Sequence, residues 1–138
     1  MIRKYFVLPL LFLIIGCSPK EGYYLRNTAE YDQKVILSLG NFFEEQKATR
    51  LELKYAYKVI KVNKNTHQKL KGVLKPKYLN DRQLEVTIPE KSTLFIYAQN
   101  PGFSSVIFRN LGQYDTLYHN DLKRWSGKSE GSFYFDLK

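Results

Sequence analysis

Cysteine is nearly absent from the 138 residues: Cys17 stands alone, so no disulfide can form within one chain. Histidine is almost as scarce. A nucleophilic triad, or a zinc site with imidazole ligands, would have to draw on His67 or His119. The chain holds no H-E-x-x-H, no G-x-S-x-G and no glycine-rich phosphate loop. The run His119-Asn120-Asp121 offers a pair of ligands where a metal needs three or four converging groups. Glu44 and Glu45 are adjacent and fall where a helix would start, a place where acids serve the helix dipole. A small hydrolase would need a carboxylate pair that only the fold could bring together. No hydrophobic run approaches the roughly 20 residues that span a bilayer as a helix; the longest, Tyr5 to Ile15, has eleven. Acids are missing altogether between Leu53 and Asn80. These absences leave no catalytic constellation, no cofactor site and no metal site to expect, and the chain reads as non-catalytic.

What is present begins at the N-terminus. Arg3 and Lys4 precede the apolar run, which is the order of a secretory signal. The run ends in Ile14-Ile15-Gly16-Cys17, which resembles the lipobox of bacterial lipoproteins: an aliphatic residue three before the cysteine, a small residue just before it, then Cys. The resemblance covers about the first seventeen residues. It implies that residues 1–16 are a signal peptide and that Cys17 becomes the first mature residue, with a diacylglycerol on its sulfur and a further acyl chain, such as palmitate, on its amine. At about 0.8 kcal/mol per buried methylene, two or three chains hold a protein on a bilayer. Ser18 stands where an Asp would, by the same analogy, mean retention in the inner membrane. The implied location is therefore the cell outer membrane, with the domain facing the periplasm. The competing reading makes Cys17 a buried residue behind an N-terminal hydrophobic strand.

Loss of the signal lowers the formal charge from +9 to +7 by removing Arg3 and Lys4. Residues 17–22 form the lipidated cysteine and a short tether, and Ser18 to Gly22 span about 17 Å when extended. Residues 23–138 form one domain, expected close to the bilayer. A chain of this size can bury roughly two-thirds of its surface in a single core, so a fold without disulfides is reasonable.

Periodicity within that domain is mostly β. Leu51, Leu53, Tyr55, Tyr57 and Val59 alternate with Glu52, Lys54, Ala56 and Lys58, the pattern of a half-buried strand. The apolar parity flips at Val59-Ile60, where a β-bulge would keep one face inward. Strands are predicted over 34–39, 83–88, 92–98, 104–109, 114–119 and 132–137. They are punctuated by Pro89, by Asn100-Pro101-Gly102 and by a hairpin loop at Asn110-Leu111-Gly112. Asn41 lies three residues before Glu44, which has the form of a capping box, and predicts one short helix near 42–48. The expected architecture is an antiparallel β-sandwich of about seven or eight strands. It is similar to the immunoglobulin-like or transthyretin-like domains of envelope lipoproteins.

Two excesses carry the functional expectation. Lys54, Lys58, Lys61, Lys64, Lys69, Lys71, Lys75 and Lys77 all fall in the acid-free stretch. Such a block attracts anions over about a Debye length, roughly 8 Å in physiological salt. With a lipid anchor, nucleic acid is not expected; an acidic envelope protein or anionic lipid headgroups fit better. Read without a partner, the same lysines are a solvated strand face that discourages edge pairing.

Aromatic residues are the second excess, with 11 Tyr, 9 Phe and one Trp. Trp125 in NDLKRWSG either contacts a ligand as an exposed ring beside polar groups, or plugs one end of the sandwich. The expected role is an accessory or docking subunit of an envelope assembly. The arrangement is similar to the outer-membrane lipoprotein of type VI secretion systems. The alternative is a glycan-binding module that uses Trp125 and surface tyrosines.

Overall fold

The computed structural model describes residues 22–40, 53–63, 65–97, 103–127 and 132–138. The expected signal peptide, Cys17, Lys64 and the helix expected near 42–48 lie outside the described residues. Among the described residues, ten strands run in chain order: β1 (Gly22–Asn27), β2 (Gln33–Leu39), β3 (Leu53–Ala56), β4 (Gly72–Leu74), β5 (Lys77–Asn80), β6 (Gln83–Ile88), β7 (Ser92–Tyr97), β8 (Phe103–Asn110), β9 (Gln113–Tyr118) and β10 (Ser132–Leu137). They form two five-stranded sheets, ordered β10-β1-β7-β3-β4 and β5-β6-β2-β8-β9. The expected β-sandwich is the fold, with more strands than the expected seven or eight.

Alternation explains most of the second sheet. Val35 and Leu37 of β2, Leu84, Val86 and Ile88 of β6, Val106 of β8 and Leu117 of β9 point inward and are buried. They meet Leu25, Leu94, Ile96 and Leu137 of the first sheet. Full burial of each such side chain contributes about 1.5–3 kcal/mol. Pairing is antiparallel except between β1 and β10, which run parallel from Gly22↔Ser132 to Asn27↔Leu137.

The first sheet departs from simple alternation because both of its faces are covered. β3 ends at Ala56, and the chain leaves the sheet instead of continuing through a bulge at Val59-Ile60. Ile60, Val62 and Leu70 fold over the outer face, onto Tyr24 and Ala56 with half-buried Phe95 and Tyr134. The parity flip in the sequence thus marks a strap that crosses the sheet. Thr93 pins it: its Oγ1 accepts from the Ile60 amide at 3.2 Å and donates to the Lys58 carbonyl at 3.1 Å. Arg26 adds a bond to the Ile60 carbonyl while its guanidinium grips both oxygens of Asp136, at 2.5 and 2.8 Å. The same guanidinium lies 3.9 Å from the Tyr134 ring centre.

Gly22 is already part of β1, one residue before the expected start of the domain. At the opposite end of the sandwich, β8 and β9 are joined by Leu111-Gly112, with φ of +49° and +81°. Two left-handed residues give the twist that a two-residue hairpin needs, but only Gly112 adopts it without strain. Leu111 is 99% exposed, so no burial offsets its backbone cost. Leu111→Asn is expected to stabilise the protein by about 1 kcal/mol, since a left-handed turn costs an ordinary residue about that much. Chemical denaturation checks this, and a lower midpoint for the variant would contradict it.

Candidate docking surface

Seven lysines of the acid-free block are described, and all seven are exposed: Lys54, Lys58, Lys61, Lys69, Lys71, Lys75 and Lys77. They fall in three places in the fold: the strap with its 3-10 turn, the β3–β4 edge and the start of β5. Lys58, Lys61 and Lys69 ride on the strap and the 3-10 turn Thr66–Lys69, outside the apolar residues that the strap buries. Lys54 of β3 pairs with Val73 of β4, at the edge of the first sheet, and Lys71 and Lys75 flank β4. Lys77 opens β5, the edge of the second sheet, opposite Glu85. Val73, Tyr78 and Leu79 are exposed among them.

Among the described residues, the ion pairs lie elsewhere: Arg26–Asp136, Arg124–Asp115 and Lys91–Glu30. None of the seven lysines has a described carboxylate within ion-pair distance.

Trp125 does not belong to this surface, and the structure corrects the reading of it as an exposed contact. It is 2% exposed, wedged at 4.9 Å between ring centres from Tyr23 and 6.0 Å from Phe103. Its Nε1 donates to the Tyr118 carbonyl at 2.9 Å. The reason is visible in β9. His119 donates to the Ser104 carbonyl of β8, so alternation turns the carbonyls of Thr116 and Tyr118 away from β8 toward the open edge. Segment 119–127 folds back along that edge and caps it. Arg124 donates to Thr116 at 2.9 Å, Trp125 to Tyr118, and Ser126 exchanges two bonds of 2.9 Å with Tyr134 of β10. On this side two outward carbonyls of β9 and both backbone groups of Tyr134 on β10 are capped.

Arg124 also grips Asp115 at 2.6 and 3.2 Å, and this hydrogen-bonded guanidinium holds the Asp115 carboxyl below its ordinary range. Since the folded pKa is depressed, the pair stabilises the fold at neutral pH. That contribution is lost as pH falls from the unfolded value of about 3.9 through the lower folded one. The stability gap between the wild type and Asp115→Asn is therefore expected to narrow on acidification from about pH 5 to about pH 2. Denaturation midpoints across that range test it, and a pH-independent gap would refute it.

His67 lies edge-on to Phe95, and His119 sets Nδ1 3.1 Å from the Ser104 carbonyl. Among the described residues, no three His, Cys, Asp or Glu side chains cluster as a metal site would require. Open clefts indent the surface of the described residues. One, of about 340 Å³, lies between Phe108 and Phe135 beside Arg109 and Arg124, and another, of about 540 Å³, runs past Ser38, Asn80 and Gln83.

Sequence reasoning missed two features of this architecture. One is the side-chain cap on β9, whose only local trace is an Arg-Trp pair following a strand. The other is Asn27, fully buried among backbone groups. In comparisons with family models, curated proteins and solved structures, nothing matches the chain, so the fold and its surface chemistry carry the functional argument alone.

Proposed function

We propose that the chain is a non-catalytic lipoprotein, held at the outer membrane through acylated Cys17, whose periplasmic domain docks an acidic protein of an envelope assembly. The single observation that carries this reading is the set of seven exposed lysines with no described carboxylate partner, interleaved with exposed Val73, Tyr78 and Leu79. Charge of one sign beside exposed apolar side chains is how a docking surface gains both steering and buried area. Anionic headgroups of the supporting bilayer would meet the same lysines. The short tether, Ser18 to Glu21, keeps the domain within reach of them. An assembly of the type VI secretion kind is one setting that suits such a subunit.

Burial of Trp125 removes the ring on which glycan binding chiefly rested. That alternative keeps the surface tyrosines, of which Tyr114 and Tyr118 are exposed on the outer face of β9.

The test is cross-linking in the native cell, followed by isolation of the tagged chain from detergent-solubilised membranes. The expected result is one stoichiometric envelope protein. It should be recovered at least about tenfold less well when Lys54, Lys71, Lys75 and Lys77 are changed to Glu, as loss of charge complementarity implies. Recovery of the chain alone, or of a partner indifferent to the change, would overturn the docking reading.

A further inference from the structure

The two sides of the sandwich are finished differently. On the β9–β10 side, Arg124, Trp125 and Ser126 occupy outward backbone groups of the edge strands. On the other side, no described residue caps β4 in this way, although an uncapped edge invites pairing with another chain.

Burial alternates through residues 71–75: Lys71, Val73 and Lys75 are exposed, while Gly72 is buried and Leu74 is half-buried. The period-2 pattern therefore runs one residue past each end of the paired core of β4. It sets Lys71, Val73 and Lys75 in one outward row, with Lys54 opposite Val73 on β3. A second copy of this chain adding through its own β4 would place lysines against lysines, and like charges directly opposite are destabilising. Among the described residues, the edge thus repels another β4 by charge and suits a strand of the opposite charge. A lipid surface would satisfy the charge, but it offers no ladder of amides in register with β4.

We infer that the β4 edge receives an extended acidic segment of the partner protein, added as a strand in the pattern acid-x-apolar-x-acid. Its carboxylates meet Lys71 and Lys75, its apolar side chain packs on Val73, and its backbone pairs with β4. The inference rests on the docking reading and specifies the chemistry of the partner.

The probe is a nine-residue peptide alternating glutamate with threonine, with valine at the central acidic position. Two further versions carry N-methyl groups on one or the other set of alternate amides. Each is titrated into the isotope-labelled full chain in non-ionic detergent at low salt, with amide shifts and amide exchange as readouts. The expected result is that amides of residues 71–75 shift and are protected, while those of β9 do not respond. One methylated version should bind about as well as the parent. The other, blocked on the edge that faces β4, should bind at least about tenfold more weakly. Lys71→Glu with Lys75→Glu should abolish the response without changing the melting temperature, because both positions are exposed.

Equal binding by both methylated peptides would reduce the contact to charge and overturn strand addition, as would an absence of shifts at 71–75. If cross-linking still yields a charge-dependent partner in that case, docking stands and only the strand inference falls. If the peptide pairs with β4 but cells yield no partner, the docking reading falls and the edge chemistry stands.

Discussion

Asn27→Leu is expected to cost about 3–5 kcal/mol, enough to threaten the fold of a domain this small. Asn27 is 0% exposed, at the last position of β1, with Ser92 and Leu137 as its neighbours in register. Its Nδ2 lies 2.9 Å from the Tyr31 carbonyl, 3.1 Å from that of Ile88 and 3.0 Å from that of Pro89. Its Oδ1 accepts from the Ala29 amide and from Gln33 Nε2, each at 3.1 Å. One amide therefore ties β1 to the 28–32 loop and to the turn that carries the chain from β6 to β7.

Leucine fills the space but bonds to nothing, so buried carbonyls lose their donor and each pays the full desolvation cost. Asn27→Asp separates shape from hydrogen bonding. The carboxylate keeps an acceptor for Ala29 but turns its charge toward three carbonyls, so this variant should be weakest at neutral pH and regain stability on acidification, as its proton returns. Urea unfolding at pH 7 and at about pH 4.5 reads both effects. A cost below about 1 kcal/mol for the leucine variant would mean that water replaces the amide, and that the knot does not organise this end of the sandwich.

Most of the second sheet was legible because its strands bury one face and wet the other. QLEVTI alternates, stops at Pro89, and is β6 to the residue. Pro and Gly punctuation likewise bounded β7 through β9. β1 was not legible as a strand. In GYYLRN, Tyr23 and Leu25 face the second sheet while Tyr24 and half-buried Arg26 lie under the strap, so Gly22 to Leu25 are all buried and no period survives.

β4 and β5 have only three and four residues, too short for periodicity to register among lysines. The β1–β10 pairing joins the ends of the domain, a relation no local pattern encodes. The candidate surface was legible as composition, since eight lysines without an acid stand out in any sequence. Its division between strap and edge depended on where β3 ended. The apolar parity at Tyr57 continued the strand pattern, yet Tyr57 is exposed and the chain had already turned out of the sheet.

Trp125 was ambiguous for a related reason. Its neighbours Asp121, Lys123 and Arg124 are polar because they face solvent or cap an edge, and this says nothing of where the indole goes. Two substitutions separate what it does. Trp125→Ala should cost about 3–5 kcal/mol, the range for emptying a large aromatic site, since it opens a cavity against Tyr23, Phe103 and Phe135. Trp125→Phe refills much of that volume but removes Nε1, so the Tyr118 carbonyl loses its cap while Arg124 still holds Thr116. The direct stability cost should then be about 1 kcal/mol, that of one hydrogen bond.

The larger expected effect of the Phe variant is on association. With its edge partly uncapped, β9 presents exposed Tyr114 and Tyr118 beside a free carbonyl, and unlike β4 it has no row of lysines to repel a second copy. Sedimentation of the Phe variant should show concentration-dependent oligomers where the wild type shows none, at a temperature well below both melting points. A monomeric Phe variant would mean that the indole serves packing alone, and that Arg124 and the Ser126–Tyr134 pair suffice to close that side of the sandwich.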